Sequence, residues 1–350
     1  MNRRLKIIDY FKGVSIILII VCHISQVFNL PHYVSAVTSL GQMGCQIFFV
    51  LSGYTVTRSY YKNCPSIKSF YKKRWLSLAP GYWLSITITV LIGVITICLT
   101  GTNQLDTSLR PGDIIINFCL LNGIAPTDAN NSVFRGGWFI GTLSVFYFLY
   151  PLLFKGYTRY GNIFLYKCII VCIITSCLLF LLTGNIYSGC GGFLYFSFVN
   201  QFPPFILGIL LYRNSINNKN AKVKTLLLFL LFLMLFYLPF FPFRAVLVPF
   251  VFSLSFVDFL IVFWNKRLLC CRLLSQVGLL SYPMFLVHIF FVWDIPKFIF
   301  KPILLLNPTF CIVWCIISII LVYYVSVIYN KVIIFFSNII ESIMSIRVLK

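Results

Sequence analysis

A chain of 350 residues that is 60% apolar, 18% aromatic and only 10% charged departs from a soluble domain, which carries roughly 25% charged residues. Its 28 Lys and Arg against 7 Asp and Glu give +21, a balance that in a soluble protein points to nucleic acid. Here the cations fall in short loops between long apolar runs. The charge is therefore topogenic, nucleic acid drops out as a partner, and a polytopic membrane protein remains.

Ahead of the first apolar run stands MNRRLK. No small-x-small cleavage site follows, and the run itself carries Asp9, Lys12 and His23, so a retained helix is expected rather than a signal peptide. Apolar runs of membrane-spanning length predict ten spans, at roughly 7–28, 40–57, 79–100, 138–154, 163–183, 199–212, 224–241, 245–264, 278–295 and 309–336. The sixth is short, and Pro203-Pro204 is expected to break its start. The tenth is long enough to run on along the interface. With the amino terminus inside, 22 of the 28 Lys and Arg fall on the cytoplasmic side and five on the other, with Lys12 inside a span. Both termini are thus expected to be cytoplasmic. The expected class is all-α: one integral membrane domain over 1–350, a transmembrane helical bundle with its core at about 7–336 and no appended soluble domain. The 13 cysteines are scattered through apolar runs without paired zinc spacing, which fits packing rather than a metal site.

The first span poses the sharpest chemical question. At 100° per residue Lys12 and His23 differ by about 20° after three turns and lie about 16 Å apart along the axis; Asp9 sits about 60° from Lys12 on the same side. Lipid exposure of that stripe would cost several kcal/mol, so it must face protein or a water-filled cavity. A bland arrangement exists: an Asp9–Lys12 pair at the interface and a histidine bonded in the core. The functional alternative is a neutral imidazole that takes a proton from a sugar hydroxyl near pH 7, above a lysine that holds a phosphate-bearing donor.

In the second span FFVLSGYTV, Phe48 to Val56, places Ser52-Gly53 where a backbone or an extended ligand can approach closely. Then come Arg58 and FYKKRWLSLAPGYW, Phe70 to Trp83, a basic aromatic cluster closed by Pro80 at the expected start of the third span. Beyond its topogenic role it forms a candidate phosphate cradle, with Arg74 the best bidentate residue and Lys73 beside it. The outward segment 101–137 is rich in turn residues and carries Asp106, Asp113 and Asp128; it is either a lid or platform over the membrane or a plain connection. Trp138 opens the fourth span at the outer interface, and SYPMFLVHIFF puts His288 in the ninth.

In order, these segments resemble the acyltransferase-3 family of integral membrane O-acyltransferases, over nearly the whole chain. The family's basic residue, ten positions and histidine appear as Lys12 and His23. Its FFxxSG appears as Phe48, Phe49, Ser52 and Gly53 with Tyr54, and its Arg-to-Pro-Tyr segment as Arg74, Pro80 and Tyr82. Its Trp, Tyr and Pro appear as Trp138, Tyr147 and Pro151, and its SYxxxLxH as Ser281, Tyr282, Leu286 and His288. Two positions depart: many relatives have a second arginine where this chain has Ser77, and a glutamate where it has Leu143. The resemblance implies transfer of an acyl group, usually acetyl, from cytosolic acyl-CoA to a sugar hydroxyl. It makes acetyl-CoA a consumed donor with no permanently bound cofactor or metal.

On this basis His23 is expected to be the catalytic base, Lys12, Arg74, Lys73, Ser52 and Gly53 to bind the donor, and Asp9, Tyr54, Tyr82, Trp138, Tyr282 and His288 to support the substrate. The expected acceptor is a bacterial surface glycan (O-antigen, capsule or exopolysaccharide), met as a glycan or lipid-linked oligosaccharide at the bacterial inner membrane. A transporter or flippase of lipid-linked sugars is the rival from another class, though the inverted repeats common in transporters are not detectable.

Overall fold

The computed structural model describes residues 6–63, 66–103, 105, 107–124, 133–187, 192–213, 221–263, 272–300 and 307–346. Asp106 and Asp128 of the outward segment lie outside them, as do Arg3, Arg4, Lys219, Lys266, Arg267, Lys301, Arg347 and Lys350 among the cations that set the orientation. Every regular element among the described residues is helical.

The chain begins with α1 (Lys6–Val27), α2 (His32–Ser39), a short 3-10 turn, α3 (Gly44–Asn63) and α4 (Ile67–Thr100). A small helix α5 (Pro111–Phe118) lies in the outward segment and leads to α6 (Gly137–Tyr160) and α7 (Asn162–Leu182). Then come α8 (Phe193–Phe196), α9 (Phe198–Arg213), α10 (Ala221–Tyr237), α11 (Arg244–Phe263), α12 (Arg272–Leu279) and α13 (Ser281–Ile289). A π-helical turn at Phe290–Asp294, α14 (Ile295–Ile299) and α15 (Pro308–Ile346) complete it. Nine helical stretches among the described residues are at least 18 residues long and apolar enough to cross a membrane. The remaining expected span, the seventh at 224–241, is α10, whose 17 residues rise about 25 Å, at the short end of what a bilayer accepts.

Three boundaries differ from the sequence expectation. Pro80 does not open the third span: α4 starts at Ile67, where the Ser66 hydroxyl caps it by accepting from the Ser69 amide at 3.2 Å, and Pro80 sits inside the helix. Membrane helices carry internal prolines when neighbours bond the local backbone. Here the Tyr282 hydroxyl donates to the Leu78 carbonyl and the Tyr329 hydroxyl to the Gly81 carbonyl, on either side of Pro80. The sixth span breaks at Ser197, which is extended, and not at the proline pair. Pro203 and Pro204 are the sixth and seventh residues of α9, and the helix runs on through both. The last helix runs 39 residues, about 58 Å at 1.5 Å per residue, far beyond a 30 Å hydrocarbon core. Its far end meets α4 through a Lys72–Glu341 ion pair at 3.0 Å.

Small residues fix the crossings that build the core. On α3 and α9, a Cβ on Gly53 would strike the Phe205 carbonyl oxygen, and one on Gly208 the Val50 carbonyl oxygen. On α1 and α12, Gly13 faces the Leu274 carbonyl and Gly278 the Asp9 carbonyl. Backbones this close gain dispersion contacts that larger side chains would forbid, which is how helices associate where lipid supplies no hydrophobic drive. Between the pairs lies an aromatic core in which Phe49 stacks on Phe139 at 4.7 Å and Phe146 meets Phe205 at 5.1 Å. The polar side of α1 turns inward: Asp9 is only 5% exposed and Lys12 and His23 are half-buried.

Candidate active site

His23 lies one turn from the end of α1, and beside it is a cavity of about 880 Å³. The cavity collects residues that are distant in sequence: His23 and Gln26 from α1, Cys45 from α3, Trp138 from α6, Phe285 from α13 and Trp293 from the π-helical turn. The outward segment contributes to its wall: Asn103, Ser108, Arg110 and Asp113 all line the space. The segment's shape is locked locally: the Ser108 hydroxyl donates to Asp113 Oδ2 at 2.6 Å and accepts from the Arg110 amide at 3.2 Å. The segment is also tied to the core. Tyr82 donates to Asn117 Oδ1 at 2.6 Å and accepts from Asn122 Nδ2 at 3.1 Å.

The hydrogen bonds around His23 set its tautomer. Gln26, one turn on, donates from Nε2 to the Cys22 sulfur at 3.7 Å, which leaves its Oε1 2.9 Å from His23 Nδ1. A carbonyl oxygen only accepts, so Nδ1 carries the proton and Nε2 keeps the lone pair. His288 repeats the pattern: its Nδ1 donates to the Phe285 carbonyl at 2.7 Å. Its Nε2 is buried without a hydrogen-bond partner among the described residues. The two imidazoles stand 5.4 Å apart, and the Trp293 ring meets His23 edge-on at 6.5 Å. Trp293 Nε1 is a buried donor that likewise lacks a partner. The cavity wall thus carries the His23 imidazole, with Trp293 Nε1 a spare N–H donor beside it and His288 buried behind. A lone-pair nitrogen can take a hydroxyl proton, and an N–H can face developing negative charge.

The expected residues divide into those at the cavity and those away from it. His23 and Trp138 line it, and His288 lies behind His23 with its ring tilted by 37°. Lys12 lies about 16 Å nearer the start of α1. Arg74 is further along the bundle, its guanidinium 5.7 Å from the Phe70 ring centroid and 5.5 Å from that of Tyr147, with Nε buried and without a hydrogen-bond partner among the described residues. Lys73 is exposed, and the Ser77 hydroxyl donates to the Arg74 carbonyl at 2.7 Å. Gly53 is taken up by the crossing with α9, with Ser52 half-buried next to it, while Tyr54 packs edge-on to Tyr212 at 5.6 Å. Tyr82 and Tyr282 bond to the outward segment and to α4, and Asp9 is buried against α12. Leu143, at the position of the relatives' glutamate, is buried among apolar residues.

Sequence reading missed Gln26, Arg135 and Trp293. Gln26 was within reach, three residues after His23 on the same helical face. Arg135 had been counted only as an outward charge, yet its guanidinium lies 4.6 Å from the Trp293 ring centroid at the cavity wall.

The described residues form a multi-span helical bundle with a cavity beside two neighbouring imidazoles, one of which lines it. The family model described as an acyltransferase domain matches residues 5–328, and the chain belongs to that acyltransferase-3 family. It is a multi-pass membrane acyltransferase. No curated protein and no solved structure matches the chain.

Proposed function

We propose that the protein moves an acetyl group from cytosolic acetyl-CoA to a hydroxyl of a bacterial surface glycan, at the inner membrane. The observation that supports this reading is the Gln26 Oε1 at 2.9 Å from His23 Nδ1, an arrangement that leaves Nε2 as the basic nitrogen of a residue lining an 880 Å³ cavity. His23 Nε2 takes the acceptor hydroxyl proton as the oxygen attacks the thioester carbonyl. The C–O ester bond forms, the C–S bond breaks, and the proton passes to the departing thiolate. Trp293 Nε1 donates to the carbonyl oxygen as it gains charge. Trp138 walls the acceptor's space, and His288 backs the base.

At the cytoplasmic end Arg74, with Lys73 and Lys12, grips the donor's phosphates, and the donor's extended arm spans the remaining distance up the bundle. Ser52 flanks that path, and Gly53, packed against α9, holds the helix crossing beside it. Asp9, Tyr54, Tyr82 and Tyr282 hold the helices around it. The donor is consumed in each turnover.

Purified protein incubated with radiolabelled acetyl-CoA and isolated glycan tests the proposal. Label is expected in the glycan. Absence of label together with sugar movement across vesicles would replace the transferase with a carrier of lipid-linked sugars.

A further inference from the structure

Lys73 and Arg74 are adjacent on α4, yet Lys73 is exposed and Arg74 half-buried. The Arg74 guanidinium carbon lies 5.7 Å from the Phe70 ring centroid and 5.5 Å from that of Tyr147. Both distances are in the range at which a ring face attracts a cation. Phe70 belongs to the preceding turn of α4 and Tyr147 to α6, so two helices meet on this one charge. The rings are fixed in turn. Phe70 has Tyr150 stacked on it at 5.6 Å and Tyr60 edge-on at 5.3 Å, and Tyr147 is edge-on to Phe205 at 6.3 Å. No carboxylate pairs with Arg74 among the described residues; Glu341 and Asp258 pair with Lys72 and Lys224, each at 3.0 Å.

The kind of hold decides what the arginine can do. A carboxylate would cancel its charge and occupy its N–H groups. A ring attracts the charge through its quadrupole and takes up no conventional hydrogen bond, so charge and N–H groups both stay available. Arg74 Nε accords with this: it is buried and has no hydrogen-bond partner among the described residues. An arginine that served topology alone would gain nothing from such burial, since water would solvate it better. We propose that Phe70 and Tyr147 are positioning residues: their rings hold the Arg74 guanidinium in place, with its charge uncancelled, for a phosphate group of the cytosolic donor. The phosphate of an anionic lipid headgroup has the same chemistry, and the test distinguishes the two sources. The assignment rests on the donor-binding reading of Arg74.

The measurement is calorimetric titration of coenzyme A into the full-length protein in phosphatidylcholine nanodiscs. Tyr147→Leu and Phe70→Leu are each expected to raise Kd about tenfold, and Tyr147→Phe, which keeps the ring, to stay within about twofold of the parent. Arg74→Gln should lose as much as Tyr147→Leu, and the double variant little more, because ring and cation act as one unit. Phe70→Leu carries the same test should Tyr147→Leu misfold. Phosphatidylglycerol added to the bilayer should weaken the parent and Arg74→Gln equally, through surface charge alone. Weakening confined to the parent would give the arginine to a lipid headgroup and overturn the proposal. So would a Leu variant that binds as tightly as the parent, a Tyr147→Phe that loses as much as Tyr147→Leu, or losses that simply add. Acetyl transfer from radiolabelled acetyl-CoA is the separate readout: in the Leu variants KM for the donor should rise about tenfold, with kcat and KM for the glycan unchanged. Ring-dependent coenzyme A binding without acetyl transfer sinks the transferase reading and upholds the positioning role. Acetyl transfer with an unaltered donor KM in the Leu variants sinks the positioning role alone.

Discussion

Among individual residues the decisive pair is His23 and Gln26. An imidazole is a base at one nitrogen only when the other holds the proton, and the Gln26 carbonyl enforces that from one helical turn away. Gln26→Leu keeps the volume but removes the acceptor. It is expected to lower kcat by roughly 10²-fold at unchanged protein yield, and Gln26→Glu, which still accepts, should restore most of the loss. Steady-state acetyl transfer with purified variants measures this. Equal rates in Gln26→Leu and the parent would remove the tautomer argument. The alignment of Lys12 and His23 was legible because one helix carries both and its period fixes their angle. Trp293 and Arg135 were not legible as site residues, because a π-helical turn and a loop remote in sequence bring them to His23 only after the bundle has formed.

The crossing of α3 and α9 shows how one sequence feature served a purpose other than the expected one. Ser52-Gly53 stood out as a place for close approach; what approaches Gly53 is the backbone of α9 at Phe205 and Gly208. Gly53→Val should therefore destabilise the fold by about 1–3 kcal/mol through overpacking, read as earlier thermal unfolding in detergent, before any effect on donor binding. An unchanged melting profile would contradict the close crossing. The element boundaries that went astray share a cause. Pro80 and Pro203-Pro204 read as breaks in an isolated helix, whereas both lie inside continuous helices packed against remote segments: Tyr282 and Tyr329 bond the backbone beside Pro80, and Phe205, just after the α9 prolines, lies against Gly53 of α3. Such contacts come from remote segments and leave no local mark.

Across the whole molecule, polarity of composition decided most of the architecture. The apolar runs placed nearly every membrane helix, and the bias of Lys and Arg predicts which end of the bundle meets the cytosol. The outward segment could be read either way from its turn residues; in the folded chain Asn103, Ser108, Arg110 and Asp113 from it line the chamber, a placement its sequence did not reveal. The orientation itself is testable. On a cysteine-free background, Arg110→Cys should react with an impermeant thiol reagent in intact cells, and Lys73→Cys only after the membrane is opened. The reverse pattern would place the chamber on the cytoplasmic side and invert the route of the acceptor.

The most direct measurement is NMR of the host surface polysaccharide from cells that carry either the parent gene or His23→Ala, with membrane insertion of both proteins checked by immunoblot. The acetyl resonance is expected with the parent and absent with the variant, in line with the 10²–10⁴-fold a positioned base contributes. An undiminished acetyl signal from well-inserted His23→Ala would contradict the account.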